Sequence, residues 1–399
     1  MPVLPSKIHR IGVLTSGGDC PGLNAVIRGL TKTAINTYGM TVVGILDGFR
    51  GLVENRMRPL AFEDLSGVLT KGGTILGTSR VKPAKMVMGG KVMDMTDVAV
   101  ANARNHNLDC IVCLGGGGTQ KNAWHLHTVG GLDVMTLPKT IDNDVAGTDV
   151  SFGFDTAMQT ATEAVDRLHD TATSHDRMII VEVMGNKAGW LALGAGMAGG
   201  ADVVLIPEIP YDVHAVADFL LRRQRRYGRK FSIVCVAEGA HSREEAVRRA
   251  RGGDSREPVE AAHEASEVRG YRLVKEPLAN RVARQLQDLT RTEARVTTLG
   301  HVQRGGAPTA ADRVLCTSLG VKAAELLAEG VTNVMVGVRD GACVPVPLQE
   351  IVGVRRTVPL DHPWMRTANR LGTCLGIANV DLHALWEGAV TLDELNRRG

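Results

Sequence analysis

Phe, Tyr and Trp together make up only 4% of the 399 residues, and the formal net charge is only +3. So small a charge gives no footing for nucleic acid or a membrane surface as partner. The one dense cationic run, Arg222 to Lys230, has almost no interleaved aromatics and reads as the solvated end of a helix. No uninterrupted apolar run approaches a membrane span, and Met1 to Arg10 lacks the apolar core of a signal peptide. Two common nucleotide signatures are also missing. No glycine loop ends in the GK[ST] of a Walker A motif, and no GxGxxG follows a strand, which makes a nucleotide-binding oxidoreductase a distant reading. Cysteine is present seven times, an odd count placed mostly in apolar runs. That argues against a disulfide framework and for reduced thiols in a cytoplasmic protein. Cys110 and Cys113 form a CxxC inside the strand-like run Leu108 to Leu114. Three residues apart on a strand they point to opposite faces and cannot chelate one metal, so both read as core thiols.

Glycine, by contrast, is abundant at 46 residues. Glycines in that number suit tight strand-to-helix turns and close approach of backbone to a ligand. The length favours two α/β domains, or one large domain with a second lobe. Short apolar runs alternate with helical patterns: Arg10 to Leu14, then a helix from Leu23; Met40 to Leu46; Ile111 to Leu114, then Gln120 to His127; Leu132 to Leu137; a helix over Asp155 to Thr173; Met178 to Val183, then Ala188 to Met197. The pattern continues with Val203 to Ile206, a helix over Val213 to Arg226, Phe231 to Ala237, Arg295 to Leu299, a helix over Ala310 to Ala328 and Val334 to Val338. Such alternation predicts mainly parallel sheets with helices on both faces and ligands beyond the strand C-termini. The charged stretch Ser242 to Val268 reads as a surface excursion.

The glycine loops fall at those strand ends. Thr15 to Gly22 joins a strand to a helix, the geometry that aims backbone N–H groups at a phosphate. Lys71 to Arg80 is a second glycine-rich loop ending in a cation, and Gly115 to Thr119 places four glycines after a buried strand. Pro138-Lys139-Thr140-Ile141-Asp142-Asn143-Asp144 then sets two carboxylates two residues apart with a lysine close by. A base beside a cation-holding carboxylate fits phosphoryl transfer, although Asp and Asn are also common in plain turns.

Taken in order, these motifs resemble the 6-phosphofructokinase family over about residues 8 to 355. The carriers are Thr15-Ser16-Gly17-Gly18-Asp19-Cys20-Pro21-Gly22-Leu23-Asn24, Lys139 to Asp144, Val181-Glu182-Val183-Met184-Gly185 and Leu299-Gly300-His301-Val302-Gln303-Arg304-Gly305-Gly306. The likeness is to the longer bacterial branch, which contains both ATP-using and pyrophosphate-using members. It implies two Rossmann-like lobes with mainly parallel sheets flanked by helices and the active site in the cleft between them. The donor lobe would span 1–150, with about 270–340 returning to it; the sugar-phosphate lobe would span 151–270 plus about 295–310; 344–399 would be a C-terminal extension. It further implies phosphorylation of fructose 6-phosphate at its 1-hydroxyl in glycolysis, with Mg2+.

Residue by residue, the resemblance makes Asp142 the general base, Asp144 a magnesium ligand and Thr140 a contact to the transferred group. Gly18, Arg80, Val81, Gly116, Gly117, Gly118 and Thr119 would bind the donor. Thr140, Ile141, Asp142, Met184, Gly185, Asn186, Glu238, His301, Val302, Gln303 and Arg304 would bind the sugar phosphate. Arg177 and Arg295 would reach it from a neighbouring subunit of a dimer or tetramer.

Two positions depart from the family pattern. Gly117 replaces an acid that helps organise the metal, and Asn186 replaces an arginine near the reacting phosphates. Donor choice rests on Gly118, which leaves room for ATP, and on Lys139, the residue typical of pyrophosphate users. ATP is the favoured donor. A reversible pyrophosphate enzyme and a catalytically weakened paralogue that binds sugar phosphate or nucleotide stay open as alternatives. The effector pocket of short bacterial members is matched poorly: Arg28 and Lys32 supply cations, but Phe62 stands where another is expected.

Overall fold

The computed structural model describes residues 3–228, 230–250 and 276–397. Most of the charged excursion anticipated at 242–268 lies outside them. The chain divides into two compact units, Met1–Ala157 with Arg304–Arg356 and Met158–Gln303 with Thr357–Gly399.

The first unit is built on a seven-stranded sheet. Its centre is β1 (Arg10–Thr15), flanked by β2 (Thr41–Ile45) on one side and β6 (Cys110–Gly115) on the other. Next to β2 comes β3 (Met57–Pro59); beyond β6 come β7 (Val134–Pro138), β12 (Val334–Arg339) and β13 (Ala342–Pro347). The strands β2, β1, β6, β7 and β12 are parallel, and only the edges β3 and β13 run antiparallel. A separate hairpin pairs β4 (Met86–Met88) with β5 (Lys91–Met93). The central strands are buried on both faces, which explains their unbroken apolar runs. From β1 the chain crosses to β2 on one side, while β6 connects to β7 on the other. The sheet therefore has its topological switch point between β1 and β6, where α/β sheets bind ligands.

The second unit carries the parallel sheet β11 (Ala294–Thr298), β8 (Met178–Val183), β10 (Ser232–Ala237), β9 (Val203–Leu205), in that order. Residues of the C-terminal segment extend its edge. Val204 N donates to Cys374 O at 2.9 Å, and Cys374 N donates to Asp202 O at 2.9 Å. Trp190, His362 and Trp364 stack edge-on, with Trp190–His362 centroids 4.9 Å apart.

Three expectations change. The segment 278–303 stays with the second unit, because β11 pairs with β8; the return to the first unit begins at Arg304 rather than near 270. Residues 344–399 do not form one extension: β13 closes the first sheet, and 357–399 belongs to the second unit. The helix after β6 begins at Gly117, not Gln120, so the glycine run is strand end, cap and first helical turn rather than a loose loop.

Candidate active site

In the first unit the glycine loops converge at the switch point. Ser16 N donates to Leu114 O at 3.0 Å, and Thr119 Oγ1 donates to Ser16 O at 3.3 Å, tying the loop after β1 to the end of β6 and to the first turn of the helix that follows it. The loop 71–80 is fastened to the same place. Gly17 N donates to Ser79 O at 2.9 Å, Thr78 Oγ1 donates to Gly17 O at 2.8 Å, and Ile75 N donates to Asn24 Oδ1 at 2.8 Å. Arg80 ends this loop exposed, while Val81 packs partly buried against the apolar core.

Two cations meet at Gly18. The Lys139 ammonium donates to Gly18 O, and the Arg304 guanidinium lies so close that a Cβ at Gly18 would collide with its Nη1. A Cβ there would have to push the tip of the Arg304 side chain aside, and the backbone angles do not call for glycine. Lys139 is buried at 5% exposure, and burial pulls its pKa below the ordinary lysine value. Gly116 is the N-cap of the helix Gly117–Thr128; Thr119 N and Gln120 N both donate to Gly116 O. The amides of Gly117 and Gly118 thus open a helix whose dipole favours an anion. A Cβ at Gly117 or Gly118 would meet nothing within 4 Å, so the space in front of both is open.

The carboxylate loop follows β7. Asp142 N donates to Thr140 Oγ1 at 3.1 Å, and Ser151 Oγ donates to Thr140 O at 2.8 Å. Asn143 takes a left-handed conformation, φ 51°, which Asn tolerates better than most residues. Its Oδ1 accepts from Ser151 N at 2.9 Å, so the residue between the two carboxylates is spent as a pin. Ile141 is buried, and Asp142 Oδ1 is shielded from solvent. Asp144 lies 3.5 Å from Arg355 Nε; burial pushes its carboxyl above the usual range, and the guanidinium opposes that push.

In the second unit the loop after β8 is held by two glutamates. Asn186 N donates to Glu238 Oε1 at 2.9 Å, and Gly189 N donates to Glu208 Oε1 at 2.9 Å. Met184 is buried, and Gly185 adopts φ 144°. Arg177 and Arg295 come together on Glu293: Arg177 Nε lies 3.0 Å from Oε2, and Arg295 Nη2 pairs with Oε1. In the turn Gly300–Arg304, His301 and Val302 are exposed, whereas Gln303 is fully buried and donates to Gly300 O at 3.1 Å. Arg304 closes that turn and belongs to the first unit, against Gly18.

Sequence reasoning did not single out Ser151, Glu208, Arg355 or Arg356. Only pairing visible in three dimensions marks them. All seven cysteines are free; Cys110 and Cys113 are buried, and burial raises both thiols, so neither CxxC sulfur is a ready thiolate. Lys32 Nζ sits 4.0 Å over the Phe62 ring.

Glycine amides at a sheet's switch point, with two cations at Gly18 and a pair of carboxylates after the neighbouring strand, suit phosphoryl groups. The sequence model of the family described as Phosphofructokinase matches residues 10–327, and the chain belongs to that family. It is 52% identical over 375 residues to the ATP-dependent 6-phosphofructokinase of Propionibacterium freudenreichii subsp. shermanii, covering 92% of this chain and 99% of that one. It is 50% identical over 371 residues to the enzyme of the same name from Spirochaeta thermophila, covering 92% and 97%. Among solved structures, phosphofructokinase from Saccharomyces cerevisiae is similar at 32% identity and TM-score 0.70, over 86% of this chain and 45% of that one, less than half its length. The pyrophosphate-dependent phosphofructokinase of Marinobacter aquaeolei, 19% identical with TM-score 0.71 over 93% of each chain, shares the fold.

Proposed function

We propose that the chain transfers the terminal phosphoryl group of ATP to the 1-hydroxyl of fructose 6-phosphate, giving fructose 1,6-bisphosphate. The observation that carries the choice of donor is the open space before Gly117 and Gly118 at the start of a helix. A nucleotide's extra phosphate needs that room, and relatives at 52% and 50% identity bear the name ATP-dependent 6-phosphofructokinase.

Asp142 takes the proton of the attacking hydroxyl. Thr140, which caps the Asp142 amide, fixes that carboxylate beside the transferred group. The amides of Gly117 and Gly118 donate to the donor phosphates, with Lys139, Arg80 and Thr119 on the same side, while Arg304 takes the phosphate of the sugar. The described residues contain no group of three or more His, Cys, Asp and Glu that would cage a metal. Asp144 beside Asp142 nevertheless fits magnesium, which takes one or two carboxylates plus waters and substrate phosphates. When bound, the ion neutralises charge on the donor phosphates.

Met184, Gly185, Asn186, Glu238 and His301 bind the sugar phosphate, and Arg177 and Arg295 serve the site of a neighbouring subunit in a homo-oligomer. The support for the last assignment is their joint position on Glu293, with the Arg295 side chain 57% exposed. Among the described residues no helix is long and apolar enough to cross a membrane. Free thiols such as Cys20 support a reducing cytoplasm as the setting, and relatives named ATP-dependent 6-phosphofructokinase support a place in glycolysis. The test is turnover of fructose 6-phosphate with ATP and magnesium by the unmodified chain and by Asp142→Asn. Unchanged turnover in Asp142→Asn would remove the general-base assignment.

A further inference from the structure

Arg355 reaches the carboxylate loop from a segment that the family match, ending at residue 327, does not cover. The segment after β13 returns to that loop as a short antiparallel bridge between Val145 and Arg355. Its neighbour Arg356 is the fixed member: its amide donates to Asp144 O at 2.9 Å, and its Nη1 donates to Asn143 O at 3.2 Å. Arg355 is held differently. Its backbone is pinned by this bridge, but its guanidinium is 41% exposed and makes a loose ion pair with Asp144, at 3.5 Å. A cation anchored by its main chain and held weakly by its side chain can exchange one anion for another at little cost.

Resting on the reading of the site as a phosphofructokinase, we propose that Arg355 is a catalytic residue of this chain. It leaves Asp144 when the donor and its cation arrive and lays its guanidinium on the phosphoryl group in flight. The chemistry is otherwise that already assigned. The sugar O1–P bond forms, the bond from that phosphorus to the β-phosphate oxygen of ATP breaks, the electron pair leaves on ADP, and the O1 proton passes to Asp142. Arg355 gives and takes no proton; it spreads the charge building on the equatorial oxygens, as a planar fork does for phosphate.

The test compares the unmodified chain with Arg355→Met and Arg355→Lys. Arg355→Met should lower kcat by about 10²-fold, the cost of losing one transition-state donor. The KM values for ATP and fructose 6-phosphate should stay within about threefold, because the contact is made in the transition state. Arg355→Lys should recover part of the loss, and the melting temperature of both variants should match the parent. A second readout needs no turnover: calorimetric binding of ADP, magnesium and aluminium fluoride in the presence of fructose 6-phosphate should weaken about as much as kcat in Arg355→Met, while binding of metal-free ATP does not. Retained kcat, or a loss confined to KM, would overturn the proposal. A parent chain without turnover would overturn the functional reading, whereas a parent with turnover that Arg355→Met matches would overturn this proposal alone. Equal fluoride-complex binding by parent and Arg355→Met would overturn it.

Discussion

The two units hold their loops by opposite means. In the first, cations point inward: Lys139 and Arg304 converge on the backbone of Gly18, and the catalytic-loop carboxylates sit in a shielded turn. In the second, carboxylates are spent on backbone amides, Glu238 on Asn186 and Glu208 on Gly189, and the cations Arg177 and Arg295 sit at the surface on Glu293. On the proposed reading the first arrangement suits an anion whose charge changes during reaction. The second is a fixed scaffold whose cations are held by one exposed acid. Damage to the first unit should therefore fall on kcat, and damage to the second on KM.

The sharpest way to break that contrast is Asp142→Asn. Loss of a general base costs about 10²- to 10⁴-fold in kcat, with KM for fructose 6-phosphate nearly unchanged, as steady-state kinetics would read. An equal loss in KM would erase the distinction. Next come Arg177→Ala and Arg295→Ala. Removing one charge-assisted hydrogen bond costs about 1.5–3 kcal/mol, which predicts a rise of roughly 10- to 150-fold in KM for the sugar phosphate. If the two arginines serve a neighbouring subunit, mixing each variant with a chain inactivated at Asp142 should restore activity in part.

Glu208→Ala should act on the second unit's loop through its frame. Glu208 Oε1 also accepts from Val358 N at 2.8 Å, so the change leaves two amides without their acceptor. Each orphaned group costs about 1–3 kcal/mol, visible as a lower denaturation midpoint and a raised sugar-phosphate KM, whereas Glu208→Gln keeps an acceptor and should be much milder. The smallest effect is expected from Gly117→Asp. Open space surrounds Gly117, and on the proposed reading Asp144 serves the cation, so kcat should change by less than about tenfold. A larger gain would mean that the missing acid had disarmed the site.

Much of this was legible in the chain. The buried strands Cys110–Gly115, Met178–Val183 and Ser232–Ala237 announce themselves as apolar runs because both their faces are covered. The glycine loops stand out by composition, whereas the Asp142–Asp144 pair, equally at home in a plain turn, became readable only through the ordered set of motifs that carries the family resemblance. What escaped reading was set by distant partners. The edge strands Met57–Pro59 and Ala342–Pro347 carry no clear alternation, and two prolines blur the second. The helix start at Gly117 contradicts glycine's poor helix propensity and is imposed by the strand before it. Arg356 meets Asn143 across 213 positions, and Glu208 looks like any strand-end acid until Gly189 and Val358 are seen on it.

The most direct test is to supply the unmodified chain with fructose 6-phosphate and magnesium and to follow phosphorylation with ATP and with pyrophosphate in parallel. Turnover with ATP and none with pyrophosphate is the predicted result. Turnover with pyrophosphate alone would contradict the reading of the space before Gly118, and no turnover with either donor would contradict the reading of the chain as a working kinase.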